Sequence, residues 1–223
     1  MQTGNRYSDR VNAGQSLASH LLSYAGRPDV VVIGLPRGGV IVAAEVAIAL
    51  HAPLDIFPVK KLGAPAQPEF GIGALGGNGV QVLDERLVRE FGLSPEELEE
   101  VIAAQEEELR QQENFFRSVR PMEPLADRIA IIVDDGAATG YTLIAAAAGV
   151  RSYGPAHIVI AVPVGAAEAC EQFEEIADEV ICPLQPTPFH AVGLWYGHFE
   201  QVGSEEAVAR LVAANQLPSG RRD

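Results

Sequence analysis

The sequence is poor in cysteine and has no long apolar run. Its two cysteines, Cys170 and Cys182, are too few for a disulfide framework and lack metal-type spacing. No apolar run approaches the roughly 18 residues that a membrane helix needs, and the first residues lack the apolar core of a signal peptide. We therefore expect a cytoplasmic protein without a membrane partner, in which the cysteines are small buried hydrophobic residues.

Basic residues are also scarce. The 223 residues contain 16 Lys and Arg against 30 Asp and Glu, which gives a formal net charge of -14. Such a field repels nucleic acid, so an anionic substrate would need a local basic site. The length fits one domain, 1–223, and the 22 glycines and 15 prolines suit an α/β protein with many turns.

Short apolar segments alternate with helical patterns along the chain. This alternation predicts an α/β fold with a doubly wound, mainly parallel sheet flanked by helices. Strands are predicted at 30–34, 54–59, 129–133, 157–162 and 179–183, and helices at 40–50, 141–152 and 165–174. A further helix begins after Asp9, which can cap it.

The middle of the chain interrupts this alternation. The Gly- and Pro-rich segment 62–79 is predicted as a long loop around a short β segment at 72–75, with 80–83 as its hairpin partner. The acidic segment 84–119 is predicted as a helical insertion. Ser94 and Glu97 form a capping box for its long helix, to about residue 118, and the acidic residues indicate a solvated face.

The most informative stretch is 131–142, which reads Ile-Ile-Val-Asp-Asp-Gly-Ala-Ala-Thr-Gly-Tyr-Thr. An apolar strand is followed by Asp134 and Asp135, a turn of small residues and an Ala-rich helix. Free N–H groups at a helix start bind anions, and small residues let the backbone approach a phosphate. Carboxylates accept hydrogen bonds from neighbouring hydroxyls or hold a hydrated Mg²⁺. The pattern predicts a ribose phosphate site, although Asp-Asp-Gly alone is often only a turn.

The turn after the first strand is a second candidate site. Gly38 and Gly39 offer N–H groups before a helix, and Arg37 adds a bidentate donor for phosphate oxygens. A strand-to-helix turn with two glycines is more often plain architecture. In doubly wound sheets, however, ligands bind beyond the carboxyl ends of the strands, so this turn and the 134–142 turn can open onto one crevice.

Two further segments carry candidate residues. Lys60 and Lys61 precede the 62–79 segment, which is long enough to act as a lid, although two lysines at a strand end are usually only solvated. The segment 184–201 concentrates aromatic residues, among them Phe189 and the chain's only tryptophan, Trp195. Such rings can stack on a planar base, and packing against a neighbouring helix is the alternative for each of them.

These stretches together resemble the type I phosphoribosyltransferases. Four apolar residues, Asp-Asp, a small turn and Thr-Gly-x-Thr form the diphosphoribosyl-binding signature of that family. The run Ala191-Val192-Gly193-Leu194-Trp195 is similar to one that precedes the base contacts in purine-specific members. The Pro-Arg-Gly-Gly, Lys-Leu-Gly-x-Pro and Trp-Tyr blocks are shared with a bacterial subgroup, and the resemblance spans nearly the whole chain.

The resemblance implies an enzyme that uses Mg²⁺ to transfer the 5-phosphoribosyl group from phosphoribosyl pyrophosphate to a small planar base, purine-like in character. Asp134 and Asp135 would bind the ribose hydroxyls directly or through the metal. The segment 62–79 would be a flexible catalytic loop and 184–201 a hood over the base. A homodimer is compatible with this resemblance.

The remaining implied roles concern binding and catalysis. The 5-phosphate is expected on Gly136, Ala137, Ala138, Thr139, Gly140 and Thr142. The pyrophosphate is expected on Arg37, Gly38 and Gly39, and a non-proline cis peptide is expected near Arg37. The catalytic residues would be Arg37, Asp135, Lys60 and Lys61, and the base would lie on Phe189 and Trp195.

The sequence departs from the family pattern at three places. Ala137 is smaller than the aliphatic residue expected there, which bears on packing under the loop. Lys60-Lys61 stands where many relatives in the subgroup carry Arg-Lys, so the charge is kept without a bidentate fork, and which lysine acts stays open. His198 stands where an acid is expected, which leaves the base open.

Two other functions stay open. The fold could serve as a sensor that binds phosphoribosyl pyrophosphate without transferase activity, although the acidic charge argues against a regulator that binds nucleic acid. It could also act as a hydrolase, or as a transferase with an acceptor that is not a base.

Overall fold

A five-stranded parallel sheet forms the centre of the protein. The computed structural model describes residues 6–65 and 67–216, with the backbone alone at 67–70. The strands of this main sheet are β1 (Val30–Gly34), β2 (Leu54–Ile56), β6 (Ile129–Val133), β7 (His157–Ala161) and β8 (Glu179–Ile181). Every adjacent pair is parallel, in the order β2-β1-β6-β7-β8. The predicted doubly wound, mainly parallel sheet is confirmed.

Helices cover both faces of the main sheet. One face is packed by α1 (Arg10–Ala18), α2 (Gly38–Leu50) and α7 (Ser204–Gln216), and the other by α5 (Tyr141–Arg151) and α6 (Ala167–Glu174). Every residue of β1 and β6 is buried, as expected for strands covered on both sides. Asp9 caps α1 as predicted, through the backbone N–H of Asn12. No helix in the described part of the chain is both long and apolar enough to cross a membrane.

The order of the strands reverses between β1 and β6. The chain passes from β1 outward to β2 and then returns to β6 on the opposite side of β1. A reversal of this kind leaves a crevice beyond the carboxyl ends of the two strands, because their connections leave in opposite directions. The two candidate turns, 35–39 after β1 and 134–140 after β6, therefore emerge side by side.

The segment between β2 and the helical insertion forms a second, antiparallel sheet. Its strands are β3 (Val59–Ala64), β4 (Gln67–Gly76) and β5 (Val80–Leu83), in that order. The predicted hairpin of 72–75 with 80–83 is confirmed as part of β4 and β5, but the long loop predicted around it at 62–79 was wrong, because β3 and the rest of β4 occupy most of it. The predicted strand 54–59 is split between β2 and β3. Glycine is typical of loops, but Gly73 lies within a strand, where it permits close packing of the backbones. A Cβ at this position would lie 2.2 Å from the Val82 carbonyl oxygen.

The helical insertion consists of α3 (Glu85–Glu90) and α4 (Pro95–Val119). The predicted capping box of Ser94 and Glu97 is present. An apolar cluster joins α4 to one face of the small sheet and includes Leu62, Leu75 and Leu109. Since the other face of the small sheet packs on α5, this sheet lies between α4 and α5.

Asp55 ties the end of α4 to the edge of the main sheet. Its side chain is buried, with a residue exposure of 2%. One carboxylate oxygen accepts from Arg117 Nη1 at 2.7 Å, and the other accepts from the Glu123 backbone N–H at 2.8 Å. The backbone N–H of Ile56 is a third donor. Several donors therefore compensate the loss of water around this carboxylate.

We expect Asp55→Ala to lower the free energy of unfolding by about 3 kcal/mol, because it leaves Arg117 without its partner. At this chain length that corresponds to a fall in melting temperature of about 6–12 °C. Urea unfolding and a thermal scan measure both. Asp29→Ala is the matched control, since the Arg27–Asp29 pair is exposed, and should cost less than about 1 kcal/mol. Equal losses in the two variants would contradict the anchoring role.

Candidate active site

The turns after β1 and β6 are in contact. A Cβ on Gly38 would lie 2.0 Å from Oδ2 of Asp135, and one on Gly39 would lie 2.7 Å from Oδ1 of Asp134. Both positions therefore require glycine, because any side chain would displace a carboxylate. The two turns therefore lie side by side, as the predicted shared crevice requires.

Arg37 lies in the turn after β1, directly before Gly38 and Gly39. The peptide bond between Pro36 and Arg37 is cis, as expected, and α2 begins at the next residue. A cleft of about 840 Å³ opens beside the turn, with Arg37 and Lys60 among its lining residues and with Glu108 and Phe115 of α4 on the opposite wall. The structure thus brings together two of the cations predicted for the pyrophosphate.

The loop between β6 and α5 presents free donors. Within the described residues, the backbone N–H groups of Ala138, Thr139 and Gly140 and the hydroxyls of Thr139 and Thr142 have no hydrogen-bond partner. Gly140 has φ 80°, and a Cβ there would lie 2.8 Å from the Phe173 ring, so only glycine suits the position. With the helix dipole behind it, this loop has the features of an anion site.

Ala137 does not belong to the donor set. Its backbone N–H donates to the Val164 carbonyl at 3.0 Å, and its carbonyl accepts from Ala166. Its side chain is buried in the apolar cluster beneath the loop. The backbone N–H of Ala137 is therefore not a free donor for the phosphate, because both polar backbone groups already bond to the neighbouring segment.

The carboxylates of Asp134 and Asp135 form the floor of the crevice and are poorly solvated. Burial, reinforced by the charge of Asp135, raises the pKa of Asp134 well above its ordinary value. Burial also raises the pKa of Asp135, and the guanidinium of Arg10 opposes that rise. Asp134 Oδ1 accepts from the Asp135 backbone N–H at 2.8 Å. These buried carboxylates would gain from a cation or from hydroxyl donors, both of which a ribose with Mg²⁺ supplies.

Arg10, which the sequence analysis did not single out, is part of this floor. Its Nε donates to Asp135 Oδ2 at 2.7 Å, and the Tyr196 hydroxyl donates to the Asp135 backbone carbonyl. No local pattern could have identified Arg10, since it lies at the start of α1 and its partner lies 125 positions along the chain.

The pair Asp134–Asp135 fits a magnesium ion held mainly through other ligands. In the described residues, no group of three or more His, Cys, Asp or Glu side chains could hold a metal by itself. Mg²⁺ commonly uses one or two carboxylates together with waters and substrate phosphate oxygens. The two carboxylates beside an amide-lined anion site match that donor set.

Lys60 and Lys61 point to opposite faces of the small sheet. The Nζ of Lys60 lies 2.8 Å from Glu108 of α4. Lys61 is opposite Ala74, which packs with the α5 side of the sheet, and its stem passes close to Gly71. Successive residues of a strand point to opposite faces of the sheet. Lys61 therefore lies on the face that packs against α5, the helix that begins at the anion loop.

The 184–201 segment covers the crevice from the other side. Val192 lies against Gly136, where a Cβ would lie 2.6 Å from Val192 Cγ1. Phe189 and Trp195 stack on each other, with ring centroids 6.5 Å apart and planes 21° apart, and belong to a small apolar cluster. His198 is exposed, with its Nδ1 3.6 Å from Glu200. The segment therefore packs against the loop after β6, and its two rings pack on each other; its role as a hood over the base stays a prediction.

The raised pKa of Asp134 predicts a pH-dependent stability. A raised pKa in the folded state means that ionisation opposes folding, so stability is lost as the pH rises through that pKa. We expect Asp134→Asn to be about 1–3 kcal/mol more stable than the unchanged protein at pH 7.5, with little difference at pH 4.5. Urea unfolding with a chelator at both pH values measures this.

Asp178→Asn is the control, and its stability at neutral pH should change in the opposite direction. The Ile158 backbone N–H holds the pKa of Asp178 below its usual value, so its contribution is present at neutral pH and is lost on acidification. This control should be destabilised at pH 7.5. A loss of stability in Asp134→Asn at pH 7.5 would contradict the electrostatic description of the floor.

Comparisons with known proteins identify the family. A family model described as the phosphoribosyl transferase domain matches residues 6–194. The chain belongs to the phosphoribosyl transferase domain family. This phosphoribosyl transferase domain is 45% identical over 210 residues to proteins of two Mycobacterium tuberculosis strains, CDC 1551 and H37Rv, each named provisionally as a phosphoribosyl transferase.

The extent of these matches differs. The match to the Mycobacterium proteins covers 94% of this chain but 47% of theirs, so the phosphoribosyl transferase domain spans about half the length of these relatives. A crystal structure of the protein TT1426 from Thermus thermophilus is similar in fold, with a TM-score of 0.76 and 41% identity. That match covers 93% of this chain and 98% of the other.

Proposed function

We propose that this domain transfers the 5-phosphoribosyl group of phosphoribosyl pyrophosphate to a nitrogen of a planar base, purine-like in character, with release of pyrophosphate. The contact between the Gly38-Gly39 turn and the Asp134-Asp135 pair, beside an amide-lined anion loop, carries the proposal. These neighbouring sites match the two phosphate-bearing ends and the diol of the donor. Family membership supports the same reaction class.

The donor would lie across the crevice with its two ends held by different backbones. The amides of Ala138 to Gly140 and the hydroxyls of Thr139 and Thr142 bind the 5-phosphate. Asp134 and Asp135 accept hydrogen bonds from the 2- and 3-hydroxyls. The amides of Gly38 and Gly39, at the start of α2, bind the pyrophosphate. Binding at both ends holds C1 of the ribose between the two turns. Holding the reacting atom in place in this way lowers the activation barrier for transfer.

Asp134 and Asp135 would also hold Mg²⁺, directly or through the ribose hydroxyls and water, and the metal when bound would neutralise charge on the pyrophosphate oxygens. Arg37 and a lysine of β3 add positive charge at the same end. As the bond from C1 to the pyrophosphate oxygen breaks, its electron pair stays with the pyrophosphate, and these side chains stabilise the growing negative charge.

The acceptor would approach the opposite face of the ribose from the hood. One of its ring nitrogens forms the new bond to C1, so the configuration at C1 inverts, and its proton is released to solvent. Phe189 and Trp195 provide planar surfaces on that side. Coverage of the crevice by the small sheet and the hood excludes water, which would otherwise hydrolyse the cationic ribose.

A donor-and-acceptor assay tests this proposal. The protein is incubated with phosphoribosyl pyrophosphate, MgCl₂ and a panel of purine and pyrimidine bases, and both pyrophosphate and nucleotide are quantified. We expect the two products in equal amounts with at least one base. Pyrophosphate released to completion without any base would indicate a hydrolase. Tight donor binding without turnover across the panel would indicate a sensor, and either result would overturn the proposal.

A further inference from the structure

Arg10 makes three contacts that join the floor of the crevice to the hood. Its Nε donates to Asp135 Oδ2 at 2.7 Å, and its Nη1 donates to the Glu200 backbone carbonyl at 2.8 Å. Its guanidinium carbon lies 3.8 Å from the centre of the Phe199 ring. Its side chain is only 12% exposed, so its ion pair with Asp135 is partly shielded from water and more favourable than at a surface.

The chain around Arg10 is itself paired with the hood. The backbone N–H of Tyr7 donates to the Trp195 carbonyl at 2.9 Å, and the Gly197 backbone N–H donates back to Tyr7 at 2.8 Å. Tyr196 continues this connection, because its ring packs 4.9 Å from Phe199 and its hydroxyl donates to the Asp135 backbone carbonyl. The hood and Asp135 are thus linked twice, once through Arg10 and once through Tyr196.

Only arginine has the shape for these contacts. Its planar fork offers separate N–H groups to a carboxylate and to a backbone carbonyl while its face stacks on a ring. Lysine supplies the charge from a single nitrogen and cannot keep this arrangement. The ion pair of Arg10 with Asp135 alone would be satisfied by lysine, so the further contacts with Glu200 and Phe199 point to a role beyond charge.

We propose that Arg10 is a positioning residue that couples occupancy of the ribose site to the conformation of the hood. The inference rests on the proposed function, because it takes Asp135 as a ligand of the ribose hydroxyls. When the ribose hydroxyls bind Asp135, its carboxylate and the Arg10 side chain move together. The segment that contains Phe199 and Glu200 then moves with Arg10, and so does the neighbouring Trp195. Donor binding therefore prepares the surface that receives the acceptor.

The only tryptophan of the chain lies in the hood and reports on it directly. Ribose 5-phosphate with MgCl₂ is titrated into the full chain, with calorimetry for binding and Trp195 emission for the hood. In the unchanged protein we expect binding accompanied by a change in emission. Arg10→Met should bind about tenfold more weakly and lose the emission change at saturation. Arg10→Lys should recover the affinity but not the emission change.

Arg27→Met is the matched control, since this arginine pairs with Asp29 and lies over the Tyr24 ring at an exposed site before β1; it should behave as the unchanged protein. Phe199→Leu, which keeps the ion pair, provides a second test if Arg10→Met does not fold, and should also weaken the emission change. An unaltered emission change in Arg10→Met or Phe199→Leu, or binding without any emission change in the unchanged protein, would overturn the coupling. No binding of ribose 5-phosphate or phosphoribosyl pyrophosphate to the unchanged protein would instead contradict the proposed function.

Discussion

Asp135→Asn is expected to reduce turnover by about 1000-fold while the protein stays folded. The substitution keeps the size of the side chain but removes the charge that accepts the ribose hydroxyls and pairs with Arg10. Because burial already raises the pKa of this carboxyl, a neutral amide is tolerated by the fold. Steady-state rates with saturating donor, together with circular dichroism and a thermal scan, separate the two effects.

Asp178→Asn serves as the control for charge removal elsewhere. Asp178 accepts from the Ile158 backbone N–H, outside the crevice, so its loss should lower stability slightly without reducing turnover. Full activity in folded Asp135→Asn would disprove the assignment of the ribose site. A variant that fails to fold would be replaced by Asp135→Glu, for which we expect the same direction of change.

Lys61→Ala should lower kcat by about 100-fold, whereas Lys60→Ala should change it by less than about threefold. Lys61 lies on the face of the small sheet that packs towards α5, whose N-terminal loop is proposed to bind the 5-phosphate. Lys60 is already paired with Glu108 on the opposite face. Initial rates at saturating donor and acceptor measure both variants, and Glu108→Gln tests whether that pair itself matters.

The reverse ranking would be equally informative. Lys60 lines the cleft next to Arg37, so a larger loss in Lys60→Ala would place the departing pyrophosphate in that cleft and would contradict a role for Lys61. Lys61→Arg should retain most of the activity, because the role proposed for this side chain is positive charge.

The main sheet and its crevice could be predicted because each depends on a local pattern. Strands buried on both faces are continuously apolar, and the run 129–133 shows this without ambiguity. The anion loop has a strand, small residues and a helix start in immediate succession. Ligands gather beyond the carboxyl ends of the strands in such sheets, so the approach of the turn after β1 to the 134–142 turn could be anticipated before any distance was known.

The third strand of the small sheet, β3, the full length of β4 and the Arg10 network could not be predicted, for different physical reasons. In β4, glycines such as Gly73 are selected by close backbone approach, whereas composition alone associates glycine with loops. The helix 204–216 was also not singled out by the sequence reading. Arg10 reaches Asp135 only through the folded arrangement of distant segments, and such contacts leave no periodicity. Local patterns therefore located the ligand loops but not the side chain that connects them.

The position of the small sheet between α4 and α5 has a consequence for exchanging parts between relatives. Leu62 and Leu75 face α4, whereas Val59 and Ala74 face the side of α5. A graft of the hairpin without α4 would leave the layer with Leu62 and Leu75 uncovered, because the opposite face is the one that packs on α5. Residues 59–119 therefore form one transplantable cassette, and chimeras should be cut before β3 and after α4.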